Sequence, residues 1–303
     1  MVARISTNYL DQTSLRNLQT ASQGMALTSY QITTGLKSQY LSDDAANSAR
    51  ILTLQDVQGK TETYLSNLSG AQNILNSVES ALQQMSDLLS DASALATTGG
   101  NESSAETRAT LAPKAQSLAE SFYTLFNTQF NGQYVFSGSN AQQSPITGTA
   151  AATPYPGSPV PTTWYQGDTQ LPSVVSGAGT TVQYGVTGND PAFADMKSGL
   201  EALWYGLQNN NMTEVNNAIS ALGSAKTQIS SLLGQVGGQL NTISLVSDRH
   251  TNQLNLVKNQ LDDLQNVDAA DALTQFSQQQ ATLQASMLII SKVNQLSLLD
   301  YLH

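Results

Sequence analysis

With 303 residues, of which 40 % are apolar, the chain has material for a sizeable core, yet only 11 % of its residues are charged, against about a quarter in ordinary soluble domains. A formal net charge of −10 with no cluster of Lys or Arg excludes nucleic acid as a partner, because a phosphate backbone demands a basic face, and the absence of cysteine excludes disulfides and thiolate metal sites. The most apolar run, Met287 to Ile290, is too short to cross a bilayer, and residues 1–10 lack the apolar stretch and cleavage pattern of a secretory signal, so the chain is expected either to stay in the cytoplasm or to leave it without a cleaved signal peptide.

Leu18, Met25 and Ile32 stand one heptad apart with the small Ala21 and Thr28 between them, which predicts a helix over residues 1–36 that Gly35 stops. Ser42 is placed to cap the next helix, with Asp43 and Asp44 at the positive end of its dipole. That helix is expected to reach about Ala96. In its later half Leu68, Ala71, Leu75, Val78, Leu82, Met85, Leu89 and Ala92 alternate spacings of three and four without a miss. Thr98, Gly99, Gly100 and Asn101 break the rhythm, and a turn at Gly99 would make the second and third helices antiparallel neighbours. Ser103 with Glu106 fits a capping box for that third helix, which runs through Leu111, Ala115, Leu118, Phe122 and Phe126, with Pro113 marking a kink or restart.

From Asn131 prolines and glycines multiply and the helical rhythm ends. Trp164, Tyr165, Val174, Val175, Val182, Tyr184 and Val186 are the expected strand residues of a small unit, one too short to hold a core of its own and therefore leaning on the helices. The aromatic set Phe122, Tyr123, Phe126, Phe130, Tyr134 and Phe136 is expected to join the two. Asp190 with Pro191 restarts a helix through Leu207, and Asn209, Asn210 and Asn211 separate it from a much longer one. There Val215, Ile219, Leu222, Ile229, Leu233, Val236, Leu240, Ile243, Leu254, Val257, Leu261 and Leu264 keep spacings of three, four or their sums, predicting a rod of about 75 Å whose seam needs partner helices. His250 falls on that seam as a packing histidine rather than a ligand, and Asp262, Asp263, Asp268 and Asp271 suit a solvated face or a junction between helices rather than a metal site.

The last segment, Ala272 to His303, carries apolar residues around most of its circumference, and a helix apolar on nearly all sides must be buried on nearly all sides. The first 36 residues are its natural partner, and the pair still leaves apolar surface for other subunits. The expected subunit interface is therefore Leu18, Met25, Ile32, Leu283, Met287, Ile290, Val293, Leu296 and Leu299; the expected rod seam is Leu75, Val78, Leu82, Met85, Leu89, Leu233, Val236, Leu240 and Ile243. The fold class is mainly α: an elongated antiparallel helical bundle or coiled-coil rod built from both chain ends, with a small inserted β domain. No nucleophile, base and oxyanion-binding set can be named, so no catalytic, cofactor or metal site is expected.

Three stretches carry a family resemblance. ARISTNYL at 3–10, GLKSQYLSDDAANSARI at 35–51 and QQQATLQASMLIISKVNQLSLLDYL at 278–302 resemble the flagellin superfamily at both ends. NGQYVFSGSN at 131–140, WYQGD at 164–168 and VQYGVTGNDPAF at 182–193 resemble its hook-associated, junction-forming branch. The resemblance implies terminal helices, 1–40 with 265–303, forming an inner polymerisation domain; a helical rod domain of 41–140 with 190–264; and an outward-facing β domain at 141–189. It implies a structural part of the bacterial flagellum, extracellular and exported through the flagellar type III apparatus. The implied partners are hook-associated protein 1 and flagellin on either side of a self-associating ring, and a cytoplasmic export chaperone on the C-terminal helix. Two departures stand out. The SDDPAG-like turn of the family reads SDDAAN at 42–47, and the segment 82–91, LQQMSDLLSD, lacks the arginines of flagellins that stimulate innate immune receptors, so that recognition is not expected. The alternatives are a filament flagellin with a reduced outer domain, which would polymerise alone, and a surface glycan-binding homologue using Trp164, Tyr165 or Tyr184.

Overall fold

The computed structural model describes residues 2–102, 104–150 and 162–301. Six α-helices lie among the described residues: α1 Val2–Thr34, α2 Ala45–Asn101, α3 Ala105–Phe126, α4 Pro191–Gln208, α5 Met212–Gln265 and α6 Ala269–Tyr301. Between α3 and α4 the described residues form two antiparallel hairpins, β1 Gln129–Phe130 with β2 Gln133–Tyr134, and β3 Ser173–Gly177 with β4 Thr180–Gln183. The fold is thus mainly α with a small β part. The chain divides into two compact units, Met1–Lys60 with Gln253–His303, and Thr61–Asn252.

In the second unit α2, α3, α4 and α5 share one apolar core with the hairpins. Leu75, Val78, Leu82, Met85 and Leu89 of α2 are all fully buried, and so are Val236 and Ile243 of α5, whereas Leu233 and Leu240 pack against the core half-buried. Ile219 keeps the seam spacing but is 40 % exposed, because Ala218 and Leu222 take the inward positions around it. Asp190 caps α4, its carboxylate accepting from the Ala192 N–H at 2.9 Å ahead of Pro191. Asn211 does the same for α5, accepting from the Thr213 N–H at 3.1 Å.

Three boundaries differ from the sequence-based expectation. The α2 helix runs on through Gly99 and Gly100 to Asn101: a Cβ at Gly99 would lie 2.4 Å from Leu207 Cδ2, so the glycine serves close packing instead of ending the helix. Asp44 rather than Ser42 opens α2, since Leu41–Asp44 form a 3-10 turn and Asp44 Oδ1 accepts from the Asn47 N–H at 3.2 Å. Ser104 caps α3, accepting from the Thr107 N–H, while Ser103 lies outside the described residues. Beyond that cap α3 continues unbroken through Pro113, and its close backbone partner is α4 rather than α2.

The β part is also smaller than its sequence suggests. Of the expected strand residues only Val174, Val175 and Val182 lie in β3 and β4; Trp164 sits in a 3-10 turn, and Tyr165, Tyr184 and Val186 in irregular chain. The hairpin nearest α3 turns on Asn131 and Gly132, at φ 49° and 77°, the left-handed pair of a tight two-residue connection. What replaces a larger sheet is an aromatic cluster. Phe126 has ring centroids of Phe193 at 5.0 Å, Trp164 at 5.2 Å, Phe122 at 5.3 Å and Phe136 at 5.6 Å around it. Phe130 and Tyr134, by contrast, are only half-buried on the hairpin. Four fully buried phenylalanines at about 1.5–3 kcal/mol each contribute as much as the usual net stability of a domain, so this cluster decides where the hairpins dock. Gly188 is needed there, because a Cβ would lie 2.5 Å from both Phe126 Cζ and Tyr165 Cε2.

The Tyr165 hydroxyl reaches the carbonyls of Phe136 at 2.9 Å and Asp168 at 2.8 Å. Burial pushes its phenol up to about 12, the Asp168 charge adding to the shift and a hydrogen bond from the Gly188 backbone opposing it. The folded chain therefore holds this proton more tightly than the unfolded chain, whose phenol titrates near 10.0. The stability gained by burying it is complete below that pH and is lost as the pH climbs toward 12. In an alkaline titration followed by phenolate absorbance, Tyr165 is expected to ionise late and together with loss of structure, and Tyr165→Phe should remove that step.

Candidate assembly surface

The first unit is organised by α1 and α6, which lie antiparallel with backbones in close approach. Its closed end is built from hydrogen bonds. Gly35, at φ 75°, ends α1, its N–H reaching the Gln31 carbonyl at 2.8 Å. The chain then pairs Leu36 with Asn266 in an antiparallel bridge, the Lys37 N–H donating to the Gln265 carbonyl at 2.7 Å and the Val267 N–H to the Gly35 carbonyl at 2.8 Å. Lys37 Nζ adds a bond to the Asp263 carbonyl, and Gln31 Nε2 holds the Lys37 carbonyl at 2.7 Å. Asp268 caps α6 through the Ala270 N–H at 2.9 Å, which gives that acid its role at a helix junction. Among the described residues no group of acids or histidines is arranged to hold a metal ion.

Further along the pair, Thr28 is buried and donates to Gln279 Oε1 at 2.7 Å. Gly24 makes room for that glutamine, since a Cβ there would lie 3.0 Å from its Nε2. The apolar spacing of α1 does not predict this polar clasp; its trace in the sequence is Gly24 and Thr28, two small residues one turn apart.

Around the clasp, the expected interface residues fall into three groups. Leu18, Met25, Leu283 and Ile290 are half-buried, while Ile32 and Met287 stand exposed. The side chains of Val293, Leu296 and Leu299 lie outside the described residues. Exposed too are Tyr9, Leu15, Leu27, Leu273, Leu288 and Ile289, with Leu288 at 65 %. Of the sixteen large apolar side chains left exposed among the described residues, twelve belong to this unit, while α1 and α6, of 33 residues each, carry three charges apiece. Two helices cannot cover each other completely, and apolar area left this way on a charge-poor surface suits contact with protein rather than with water. At the closed end, Leu36, Tyr40, Ile51 and Leu264 line a cleft of about 220 Å³ with the polar Asp44, Ser48 and Gln55.

In the second unit, the aromatics considered for glycan binding turn inward. Trp164 and Tyr165 join the Phe126 cluster, and Tyr184 packs half-buried against the same core. His250, on the α5 seam, is also inward. Its Nε2 lies 2.7 Å from the Ser176 carbonyl and therefore carries the proton, and its ring packs 5.5 Å from that of Tyr64.

Long helices at both chain ends, joined by a short β insertion, invite comparison with known families. Residues 5–141 match the bacterial flagellin N-terminal helical region, and residues 210–302 match the bacterial flagellin C-terminal helical region. The chain belongs to the bacterial flagellin family. It is a structural component of the bacterial flagellum, extracellular and without enzymatic activity, as members of that family are. This flagellin-family chain is 24 % identical over 318 residues to flagellar hook-associated protein 3 of Salmonella typhimurium, covering 97 % of its own length and 98 % of that protein. Among solved structures, a flagellar hook-associated protein from Vibrio parahaemolyticus superposes with a TM-score of 0.64 at 20 % identity, over 74 % of this chain and all of that one. The flagellar junction protein FlgL from Legionella pneumophila does so with a TM-score of 0.52 at 15 % identity, over 71 % of this chain and 99 % of that one. At those identities the likeness is one of fold.

Proposed function

We propose that this flagellin-family chain is the subunit of the hook–filament junction, forming a short ring that joins hook-associated protein 1 to flagellin. The observation that carries the reading is the end-to-end match to a hook-associated protein 3, in which nearly the whole of both chains aligns. The concentration of exposed apolar side chains on α1 and α6 supports assembly through the terminal helices. In this reading 1–40 with 265–303 line the inside of the tube, 41–140 with 190–264 form the rod, and 141–189 face outward. Leu18, Met25, Ile32, Leu283, Met287, Ile290, Val293, Leu296 and Leu299 meet neighbouring subunits, and the seam from Leu75 to Leu89 with Leu233 to Ile243 keeps the rod stiff enough to pass torque. At about 25 cal/mol per Å², a few hundred Å² of apolar surface covered by each neighbour contributes several kcal/mol before ordering costs. Export proceeds unfolded, with a chaperone holding the C-terminal helix until delivery.

Electron microscopy of flagella from a strain lacking this gene, with the culture medium assayed for flagellin, tests the reading. Hooks without filaments and flagellin lost to the medium are expected. Intact filaments on normal hooks would overturn it.

A further inference from the structure

The most deeply buried charges of the second unit are satisfied from within. Inside α4, Lys197 Nζ lies 2.6 Å from Glu201 Oε2 with both side chains at most 3 % exposed, and the Tyr123 hydroxyl of α3 donates to Glu201 Oε1 at 2.8 Å. Along the outer side of α2 the opposite holds. Asn73, Ser77, Ser80 and Gln84 recur at spacings of three and four, one row along the helix, with Asn76 beside it. Across a hollow of about 400 Å³ they face Thr128 and Phe130, where the chain passes from α3 into the first hairpin. Phe130 also lines a second cleft, of about 170 Å³, together with Gln133, Tyr134, Pro172 and Tyr184. The two hollows thus share one half-buried aromatic ring. Among the described residues, the side-chain amides of Asn73, Asn76 and Gln133 and the hydroxyls of Tyr134 and Tyr184 have no protein partner. Tyr184 is half-buried, and burial alone raises its phenol above the ordinary value, so this hydroxyl is drawn away from water without gaining a protein bond. A ligand that bonds it recovers what burial has already cost.

The lining selects the ligand class. No charged side chain borders either hollow, so a phosphate, a carboxylate or an ammonium group finds no counter-charge there. A purely apolar ligand would strip the amides and hydroxyls of water without replacing its bonds. Protein interfaces are built around large apolar anchors, and none of the large apolar side chains that stand exposed lines either hollow. An uncharged sugar meets every requirement. The C–H face of a pyranose ring packs on a flat aromatic surface such as Phe130, and sugar hydroxyls both donate and accept, as do the amides of asparagine and glutamine. From Asn73 to Gln84 the row runs about 16 Å at 1.5 Å per residue, long enough for more than one sugar ring.

We infer that the groove between the outer side of α2 and Phe130, with the cleft behind that ring, binds an uncharged oligosaccharide. Phe130 carries a sugar ring, Asn73, Asn76 and Gln133 hold its hydroxyls, and the Tyr184 hydroxyl bonds the group that enters the cleft. The site lies wholly in the second unit and does not depend on the junction role. Saturation-transfer NMR on the purified full-length chain tests it, with maltotriose, mannotriose, N-acetyllactosamine and triacetylchitotriose as uncharged probes and a sulfated disaccharide as the charged control. Transfer to at least one uncharged probe and none to the sulfated one is expected. Asn73→Ala with Asn76→Ala, both at exposed positions of α2, should weaken that binding by about tenfold or more without lowering the melting temperature. Phe130→Ala should abolish it; if that variant folds poorly, the double asparagine variant decides. No transfer to any uncharged probe would overturn the site, and so would transfer that survives these changes or that the sulfated probe shares. Failure of the double variant to enter flagella, with no sugar bound by the parent, would assign the groove to a contact between subunits instead.

Discussion

A chain cut before Leu273 is expected to be absent from assembled flagella and to leave the strain as poorly motile as one lacking the gene. The reason lies in the first unit. Residues 273–303 are nearly all of α6, and with them go Gln279, the partner of buried Thr28, and the half-buried Leu283 and Ile290. Deprived of its partner, α1 would then expose both faces of a helix with three charges in 33 residues, too little polar surface to stand alone in water. The second unit, Thr61–Asn252, keeps its core intact, because all of the side chains in its cluster lie between Leu68 and Val246. Circular dichroism of the purified truncated chain should therefore show reduced but substantial helix and a cooperative melt. Adding purified full-length and truncated chains to cells that carry hooks but no filaments separates a defect in export from one in assembly. Only the full-length chain should restore filaments, and restoration by the truncated chain would remove α6 from the assembly surface.

The strength of the sequence signal followed the side-chain volume behind it. Leu75, Val78, Leu82, Met85 and Leu89 are large and regularly spaced, and their burial could be read directly because nothing but a helix seam satisfies that spacing. Glycine is less legible. By type Gly99 suits a helix stop, but the space that decides its role is occupied by Leu207, more than a hundred residues away in the chain. In the β part propensity holds for Val174, Val175 and Val182, which lie in strands, and fails for Trp164 and Tyr165, which are held by Phe126 and by backbone carbonyls outside the hairpins. The exposed apolar residues of α1 and α6 were legible as a surplus, a helix with more apolar faces than one partner can cover. The Thr28–Gln279 clasp was not, because a polar pair separated by 251 residues leaves no periodic trace. Lys197 and Glu201 were hidden for a related reason. Spaced by four on a helix, they resemble an ordinary solvated pair, and only tertiary burial distinguishes them from the exposed Asp56 and Lys60.

That difference in burial sets the second large effect. Glu201→Ala is expected to destabilise the second unit by about 3–5 kcal/mol, the cost of leaving the Lys197 ammonium buried without its anion and the Tyr123 hydroxyl without its acceptor. Against a typical net stability of about 5–15 kcal/mol, this shifts the urea midpoint far enough to be read without ambiguity. Asp56→Ala, which breaks a pair of the same sequence spacing at 2.6 Å on the exposed face of α2, should change stability by no more than about 1 kcal/mol. Spacing and shortest distance are alike in the two pairs, so the contrast reflects burial together with the Tyr123 hydrogen bond that Glu201 accepts. Replacing both charges, as Lys197→Met with Glu201→Leu, should recover the share of that loss that comes from the unpaired charge but not the share from the Tyr123 hydroxyl, whose acceptor is gone in both variants. Equal losses in the single and double variants would mean instead that the pair is a net stabiliser, its attraction exceeding the desolvation of both groups.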